Sequence, residues 1–160
     1  MRPLTPDDIE PMVHLAVTAE LFPPEAGDFL REQARAWLDG GEGPGAWAVE
    51  DDEAGGGLGS VVFFEPRLAT DRVWALTMIA VAPALQGGGR GARAVRWVED
   101  TLRAQEQRLL VIETSSTPRY DKTRRFYERS GYRQVAVVPD YFEDGDHMVL
   151  FHKDLRVAPA

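Results

Sequence analysis

Three observations predict a mixed α/β fold with a mostly antiparallel sheet. Two helical patterns come first, several short strand-like runs follow, and two apolar runs enclose a further helical pattern. A strand, a helix and a strand in succession need a crossover connection and so predict one parallel pair, whereas runs joined by tight turns pair antiparallel. The predicted order is ααββ(β)βαβαββ, with the bracketed strand optional and helices on both faces of the sheet.

The first forty residues contain the two leading helices. Apolar residues recur at helical spacing from Ile9 to Ala16, behind Asp7 as a suitable N-cap. The second pattern runs from Phe29 to Leu38 and ends at Gly40-Gly41. Both patterns predict amphipathic helices.

Strand periodicity begins at Ala46. "AWAVE" and "SVVFFE" are joined by a glycine-rich turn and predict a hairpin, with the acidic run at 50–53 on its solvated surface. "RVWALTMIAV", residues 72–81, is apolar on both faces and predicts a central strand. "LLVIE", residues 109–113, is a second run of this kind, so these two strands are the predicted parallel pair.

Two more helices and a second hairpin complete the chain. A helix after residue 90 is predicted to place Glu99 and Arg103 on its solvent side as an i, i+4 pair. Thr117-Pro118 suits the start of the next helix and Gly131 its end. "RQVAVV" and "HMVLFHK" alternate as an antiparallel pair.

Composition limits the class of protein. The 160 residues predict a single domain over 1–160, and the formal charge of −8 argues against nucleic acid and anionic membranes as partners. Cysteine is absent, so a thiolate nucleophile is excluded and a cytoplasmic location is expected. The three histidines are scattered without ligand spacing, so no metal is expected.

The stretch "QGGGRG", residues 86–91, joins the predicted central strand to a helix. Backbone N–H groups at such a junction converge beside the positive end of the helix dipole and form an anion site, most often for phosphate. A flexible turn is the alternative. Four glycines at this junction favour the phosphate site.

Two kinds of phosphate-containing ligand could bind this loop, and the first is a dinucleotide. Gly87, Gly89 and Ala92 satisfy the dinucleotide pattern, and Glu113 lies about twenty residues on, where an acid binds ribose. Against NAD, five residues separate Val81 from the first glycine, and too little sequence follows for a second mononucleotide-binding half. The Rossmann interpretation therefore ranks lower.

A second interpretation of the loop explains more of the sequence. "IAVAP" at 79–83, the pattern Gln/Arg-x-x-Gly-x-Gly/Ala at 86–91 and "RRFYERSGY" at 124–132 occur in one order and spacing. This combination resembles the GNAT superfamily of acyl-CoA-dependent N-acetyltransferases over essentially the whole chain. The resemblance implies a GNAT-like fold, direct acetyl transfer from acetyl-CoA to an amine of a small molecule in a ternary complex, and a monomer or homodimer.

The resemblance also implies a cofactor site. The pantetheine arm would pair with the strand at Ile79, Ala80 and Val81, where it splays from the next strand. Gly88 stands where relatives carry a long basic residue, and Arg90 or Arg93 is a possible substitute. The pyrophosphate would bind the backbone of Gln86, Gly87, Gly88, Gly89, Arg90, Gly91 and Ala92.

Two residues are candidates for catalysis. Tyr127 occupies the place of the family's motif tyrosine and would act as the acid toward the leaving thiolate, although an aromatic stripe shared with Tyr120 also suits a core position. Glu113 ends its strand where a carboxylate could accept the substrate's proton. Pairing with an arginine or capping a turn is an equal alternative.

One departure from the family leaves a second function open. Relatives often have an asparagine seven residues before the motif tyrosine, and this chain has Tyr120 there, so Ser115, Ser116 or Asp121 would have to replace that contact. A non-catalytic module that binds acyl-CoA as a sensor is the alternative. Trp74, Phe22 and Tyr141 could line an acceptor pocket.

Overall fold

The computed structural model describes residues 1–40 and 45–156. It confirms the predicted order without the optional strand and adds a short strand at the start. The helices are α1 (Ile9–Thr18), α2 (Gly27–Leu38), α3 (Arg90–Ala104) and α4 (Asp121–Arg129). The strands are β1 (Arg2–Pro3), β2 (Ala46–Asp52), β3 (Gly57–Pro66), β4 (Val73–Val81), β5 (Leu109–Ser115), β6 (Arg133–Glu143) and β7 (Asp146–Asp154).

The seven strands lie in the order β1-β2-β3-β4-β5-β7-β6. β4 and β5 are parallel, with Val73 opposite Leu109 and Ala75 opposite Val111. The pairs β1–β2, β2–β3, β5–β7 and β6–β7 are antiparallel. The fold class is therefore confirmed as a mixed, mostly antiparallel sheet, with β4 central as its two apolar faces predicted.

The chain forms two compact units. The first contains residues 1–65 and 77–98, and the second contains residues 66–76 and the described residues from 99 onward. Consequently β4 and α3 each supply residues to both units. In the first unit, α1 and α2 pack with β2, β3 and the end of β4 around one apolar core. The single domain over 1–160 stays a prediction.

The start of α1 differs from its prediction. A 3₁₀ turn, Pro6–Asp8, precedes the helix, and the N–H and Oγ1 of Thr5 donate to Asp8 Oδ2 at 2.8 and 2.7 Å. Hydrogen bonds from Arg2 lower the pKa of Asp8 to about 2. The N-cap prediction at Asp7 was wrong, because Thr5 caps a 3₁₀ turn that begins at Pro6 and Asp8 is then the N-cap of α1.

Gly40 and Gly131, two of the predicted glycine stops, each lie one residue beyond the C-cap residue of a helix. Gly40 follows α2 with φ +72° and Gly131 follows α4 with φ +85°, the left-handed conformation that ends helices. Gly41 lies outside the described residues. Thr117 and Pro118 were predicted as the N-cap and first residue of the helix. They hold those positions in a 3₁₀ turn, Pro118–Tyr120, that leads into α4, whereas the N-cap of α4 itself is Tyr120.

Glu99 on α3 is a second correction. Its side chain is only 2% exposed, although the helical spacing predicted the solvent side. Lys153 Nζ on β7 lies 2.9 and 2.8 Å from the two carboxylate oxygens, and Arg103 lies 3.2 Å away as the predicted i, i+4 partner. The cation that makes this burial tolerable is more than fifty residues distant in sequence.

Candidate functional site

The loop between β4 and α3 owes its shape to glycine. A 3₁₀ turn, Pro83–Leu85, follows β4, and Gly87 and Gly89 then adopt φ of +80° and +78°. Glycine populates this region freely, whereas other residues are strained there. A Cβ on Gly88 would meet only the Leu85 carbonyl oxygen, at 3.8 Å, so the space above that backbone is open.

The first turn of α3 presents three amides. The Arg93 N–H donates to the Gly89 carbonyl oxygen at 3.0 Å, which is the first bond of the helix ladder. The N–H groups of Arg90, Gly91 and Ala92 therefore precede that ladder and point out of the helix end. Together with the dipole of a 15-residue helix, they favour an anion at this position.

The end of β4 is tied to the loop. Ala80 is buried while Ile79 and Val81 are half-buried. The Gln86 side chain donates from Nε2 to the Val81 carbonyl oxygen at 3.1 Å. This bond holds the first loop residue against the strand that the family resemblance assigns to pantetheine.

The two arginines near the loop differ in their contacts. Arg90 is bound to Glu50 at 3.2 Å and to the Asp51 carbonyl oxygen at 3.3 Å, with its side chain 15% exposed. Arg93 is 51% exposed, donates to the Gly88 carbonyl oxygen at 3.3 Å and lies 3.8 Å from Glu50. Arg93 is therefore the cation that lies at Gly88 and remains accessible to a ligand.

Glu50 has a role that its sequence context did not indicate. Ser60 Oγ donates to its carboxylate at 3.0 Å, and Arg90 pairs with it. The prediction of a solvated acidic surface was wrong for Glu50, because β3 and α3 bring partners to it. No local pattern around residues 50–53 signals this arrangement.

Tyr127 lies in an aromatic cluster of the second unit. Its ring packs against Phe151 and Tyr132 with centroids 5.9 Å apart in each case, and against Phe126 at 5.1 Å. The residue is only 4% exposed, and burial raises the pKa of its phenol above the ordinary value near 10. Tyr127 therefore lies in the core, as its place in the aromatic stripe allowed. This position is compatible with the role expected of the family's motif tyrosine.

Glu113 pairs with an arginine, which was the structural alternative for this residue. Arg67, which follows β3, donates from Nη2 to Glu113 Oε1. Both side chains are about a third exposed, at 38% and 30%. Arg67 lies 46 positions from Glu113, so no local pattern indicates this partner, and the role of Glu113 as a base stays a prediction.

The three proposed replacements for the missing asparagine all have structural partners. Ser115 Oγ donates to Asp146 Oδ1 at 2.6 Å, and Ser116 Oγ accepts the His147 N–H at 2.9 Å. Asp121 pairs with Arg124. These bonds tie the end of β5 to β7 and close the first turn of α4.

The structure thus groups the predicted residues in two places. All ten predicted cofactor residues belong to the first unit, at the end of β4 and the start of α3, whereas Tyr127 and Glu113 belong to the second unit. Of the predicted acceptor residues, Phe22 packs on the first core, Trp74 donates to Gln107 at 2.9 Å and Tyr141 is exposed.

The described residues contain neither a grouped set of metal ligands nor a helix suited to a membrane. Within residues 1–40 and 45–156, no three histidine, aspartate or glutamate side chains are grouped as ligands for a metal ion. No helix in the same part of the chain has both the length and the apolar character to cross a membrane.

Comparison with known families decides between the two interpretations of the glycine loop, a dinucleotide site and an acyl-CoA site. The family model described as "Acetyltransferase (GNAT) family" matches residues 11–132. The chain belongs to the GNAT acetyltransferase family. The match spans the glycine loop and Tyr127, so the resemblance inferred from these motifs is confirmed. The interpretation of the loop as a Rossmann dinucleotide site is wrong. The antiparallel partner of β5 also departs from a doubly wound parallel sheet.

Solved structures share this fold. A protein from Desulfovibrio desulfuricans assigned to the GNAT family is 28% identical, with a TM-score of 0.88 and 97% of each chain covered. An aminoglycoside 6'-N-acetyltransferase complexed with coenzyme A is 18% identical, with a TM-score of 0.78 and coverage of 98% of this chain and 95% of that one.

A third structure has a different kind of acceptor in its name. The ribosomal-protein-S18-alanine N-acetyltransferase from Escherichia coli is 17% identical, with a TM-score of 0.70 and coverage of 98% and 94%. At this identity the likeness shows the fold alone. Comparison with curated proteins gave no significant match.

Proposed function

We propose that this protein transfers the acetyl group of acetyl-CoA to an amine of a small molecule by direct attack in a ternary complex. The observation that carries the proposal is the set of three amides, from Arg90 to Ala92, at the start of α3 behind two left-handed glycines. Family membership supports acetyl transfer in general. The proposal goes beyond family membership in two respects, the small-molecule acceptor and the direct attack.

The loop fits a diphosphate through its backbone. Gly87 and Gly89 give the loop its turn, and the open space above Gly88 admits phosphate oxygens. Arg93 supplies the positive charge that relatives carry on the residue at position 88. Arg90 contributes its amide, while its guanidinium remains bound to Glu50.

In the proposed reaction the amine nitrogen attacks the thioester carbon, so a C–N bond forms as the C–S bond breaks. The proton that the nitrogen loses after the attack passes to the departing thiolate, which leaves as the CoA thiol. The ammonium form must first lose a proton, and Glu113 is the proposed acceptor of that proton. Tyr127 donates a hydrogen bond to the sulfur as negative charge develops on it. Because burial raises the pKa of this phenol, it retains its proton and stabilises the thiolate chiefly by hydrogen bonding.

Glu113 is tested by the pH dependence of the rate. If Glu113 is the base, Glu113→Gln lowers the rate most at low pH, where the amine is hardest to deprotonate. Arg67→Gln is the matched variant, because it removes the partner of Glu113 and leaves the carboxylate in place. A loss in Glu113→Gln that is equal at all pH values would assign the residue a structural role.

A sensor without catalytic activity is the second candidate, supported by Tyr120 at the asparagine position. Thermal unfolding with acetyl-CoA, CoA and NAD separates the ligand classes, since a ligand at 100 times its Kd stabilises by about 2.7 kcal/mol. Release of CoA thiol with a panel of amines then separates enzyme from sensor. Stabilisation by NAD alone would refute both candidates.

A further inference from the structure

Arg67 and Glu113 form an ion pair that leaves hydrogen-bonding groups of both residues unused. Both residues belong to the second unit, and Arg67 Nη2 donates to Glu113 Oε1. Within residues 1–40 and 45–156, no group forms a hydrogen bond with Glu113 Oε2 or with Nε and Nη1 of Arg67. Each side chain is about a third exposed. A ligand can therefore reach a cation and an anion that lie side by side.

The backbone on both sides of this pair is held by hydrogen bonds. The Arg67 N–H donates to the Val73 carbonyl oxygen at 2.8 Å, and the Arg67 carbonyl oxygen accepts the Thr70 hydroxyl at 2.7 Å. Glu113 lies on β5, between β4 and β7 in the sheet. Only the two side chains therefore need to move when a ligand binds between the charges.

The positions that adjoin Glu113 on β5 and β7 contain no second acid. Leu150 of β7 lies opposite Glu113, and Met148 lies opposite Ser115. Val111 and Ser115 are the neighbours of Glu113 on its side of β5, because side chains alternate along a strand. A polycationic acceptor would need several carboxylates here. One cation beside one anion instead suits a ligand that carries one charge of each sign.

We propose that Arg67 selects the acceptor by binding its carboxylate, and that the acceptor is an α-amino acid. A guanidinium can form two parallel hydrogen bonds with a carboxylate, whereas the contact with Glu113 uses one N–H group. When the amino acid binds, its carboxylate replaces Glu113 at Arg67, and its ammonium pairs with the released Glu113. One internal ion pair is thus exchanged for two pairs with a zwitterion.

This inference rests on the proposed function, in which Glu113 is the base. Glu113 accepts one proton from the bound ammonium and passes it to water, and the neutral nitrogen attacks the thioester carbon. The second proton leaves with the thiolate, so the products are the N-acetyl amino acid and the CoA thiol. Arg67 contacts the acceptor away from the reacting atoms, so its removal should raise KM more than it lowers kcat.

The first test compares common L-amino acids with their amides, since each such pair differs only in the carboxylate. At least one amino acid should be acetylated, and Arg67→Gln should lower its kcat/KM about tenfold more than that of its amide. Arg125→Gln is the matched control, because it removes the same charge from the exposed surface of α4 and should leave this ratio unchanged. Equal losses for acid and amide in Arg67→Gln, or acetylation of spermidine or kanamycin but of no amino acid, would overturn the inference.

The second test measures binding without turnover and so separates this inference from the proposed function. In calorimetric titrations with CoA present, Arg67→Gln should weaken binding of the amino acid about tenfold, and Arg67→Lys, which keeps the charge without the fork, should weaken it less. An amino acid that binds through Arg67 but is not acetylated would refute the proposed function and leave the site. Acetylation of amines without any dependence on Arg67 would refute the inference and leave the function.

Discussion

The glycine loop of the first unit and the cluster around Tyr127 in the second achieve their proposed functions in opposite ways. The loop presents backbone amides and leaves space where side chains would stand, with the half-exposed Arg93 beside it. The cluster contains the buried rings of Tyr127, Tyr132 and Phe151, and Lys153, which lies over the Tyr132 ring, binds the buried carboxylate of Glu99. Substitutions in the loop should therefore change ligand affinity, whereas substitutions in the cluster should also change the free energy of unfolding.

The largest expected effect lies in the second unit. Lys153→Met leaves the carboxylate of Glu99 buried with Arg103 as its remaining cation, and should lower the free energy of unfolding by about 3 kcal/mol. Urea denaturation measures this. The double variant Glu99→Leu/Lys153→Met should recover most of the loss, because an apolar pair replaces the buried charges. If Lys153→Met left the free energy of unfolding unchanged, Arg103 alone would be a sufficient partner for Glu99.

The next prediction distinguishes a loss of catalytic rate from a loss of stability in the cluster around Tyr127. Tyr127→Phe should lower kcat about 100-fold while Kd for acetyl-CoA stays nearly unchanged, since the hydroxyl acts only when charge develops on sulfur. Steady-state kinetics and calorimetry measure the two quantities. Unchanged turnover in the folded variant would remove Tyr127 from the mechanism.

Tyr132→Phe is the matched control for that experiment. The Tyr132 hydroxyl is buried and finds no hydrogen-bond partner within the described chain. Its removal should leave kcat unchanged and change the free energy of unfolding by no more than about 1 kcal/mol. A comparable loss of turnover in both variants would mean that Tyr127→Phe acts through packing.

In the loop, Gly89→Val should weaken CoA binding about 30-fold, equivalent to ~2 kcal/mol, because a β-branched residue is strained at φ +78° and the amides would turn away. Isothermal titration with CoA tests this. Gly40→Val is the matched control, since Gly40 has φ +72° at the end of α2. Equal affinity of Gly89→Val and the parent chain would contradict the loop assignment.

The smallest expected effect concerns charge at the loop. Arg93→Ala should weaken CoA binding about fivefold, and the loss should shrink at high salt, because this guanidinium is half exposed. Arg90→Ala should instead lower stability by removing the closer of the two arginines that face Glu50. If Arg90→Ala weakened CoA binding more than Arg93→Ala, the two assignments would be reversed.

The amino-acid sequence by itself determined the order of elements, the glycine loop between β4 and α3, and the family motifs. These depend on local rules: strand and helix periods, glycine's access to positive φ, and the amides at a helix start. The helix stop at Gly131 is a direct example, since one residue with φ +85° decides it.

Only the tertiary structure decided which charges meet. Lys153 covers Glu99 from β7, Arg67 pairs with Glu113, and Arg90 is held by Glu50 and is therefore not available to a ligand. These partners lie forty or more positions apart, so no local periodicity contains them. Burial of a charge depends on which strand or helix packs over it, and that is a property of the assembled fold.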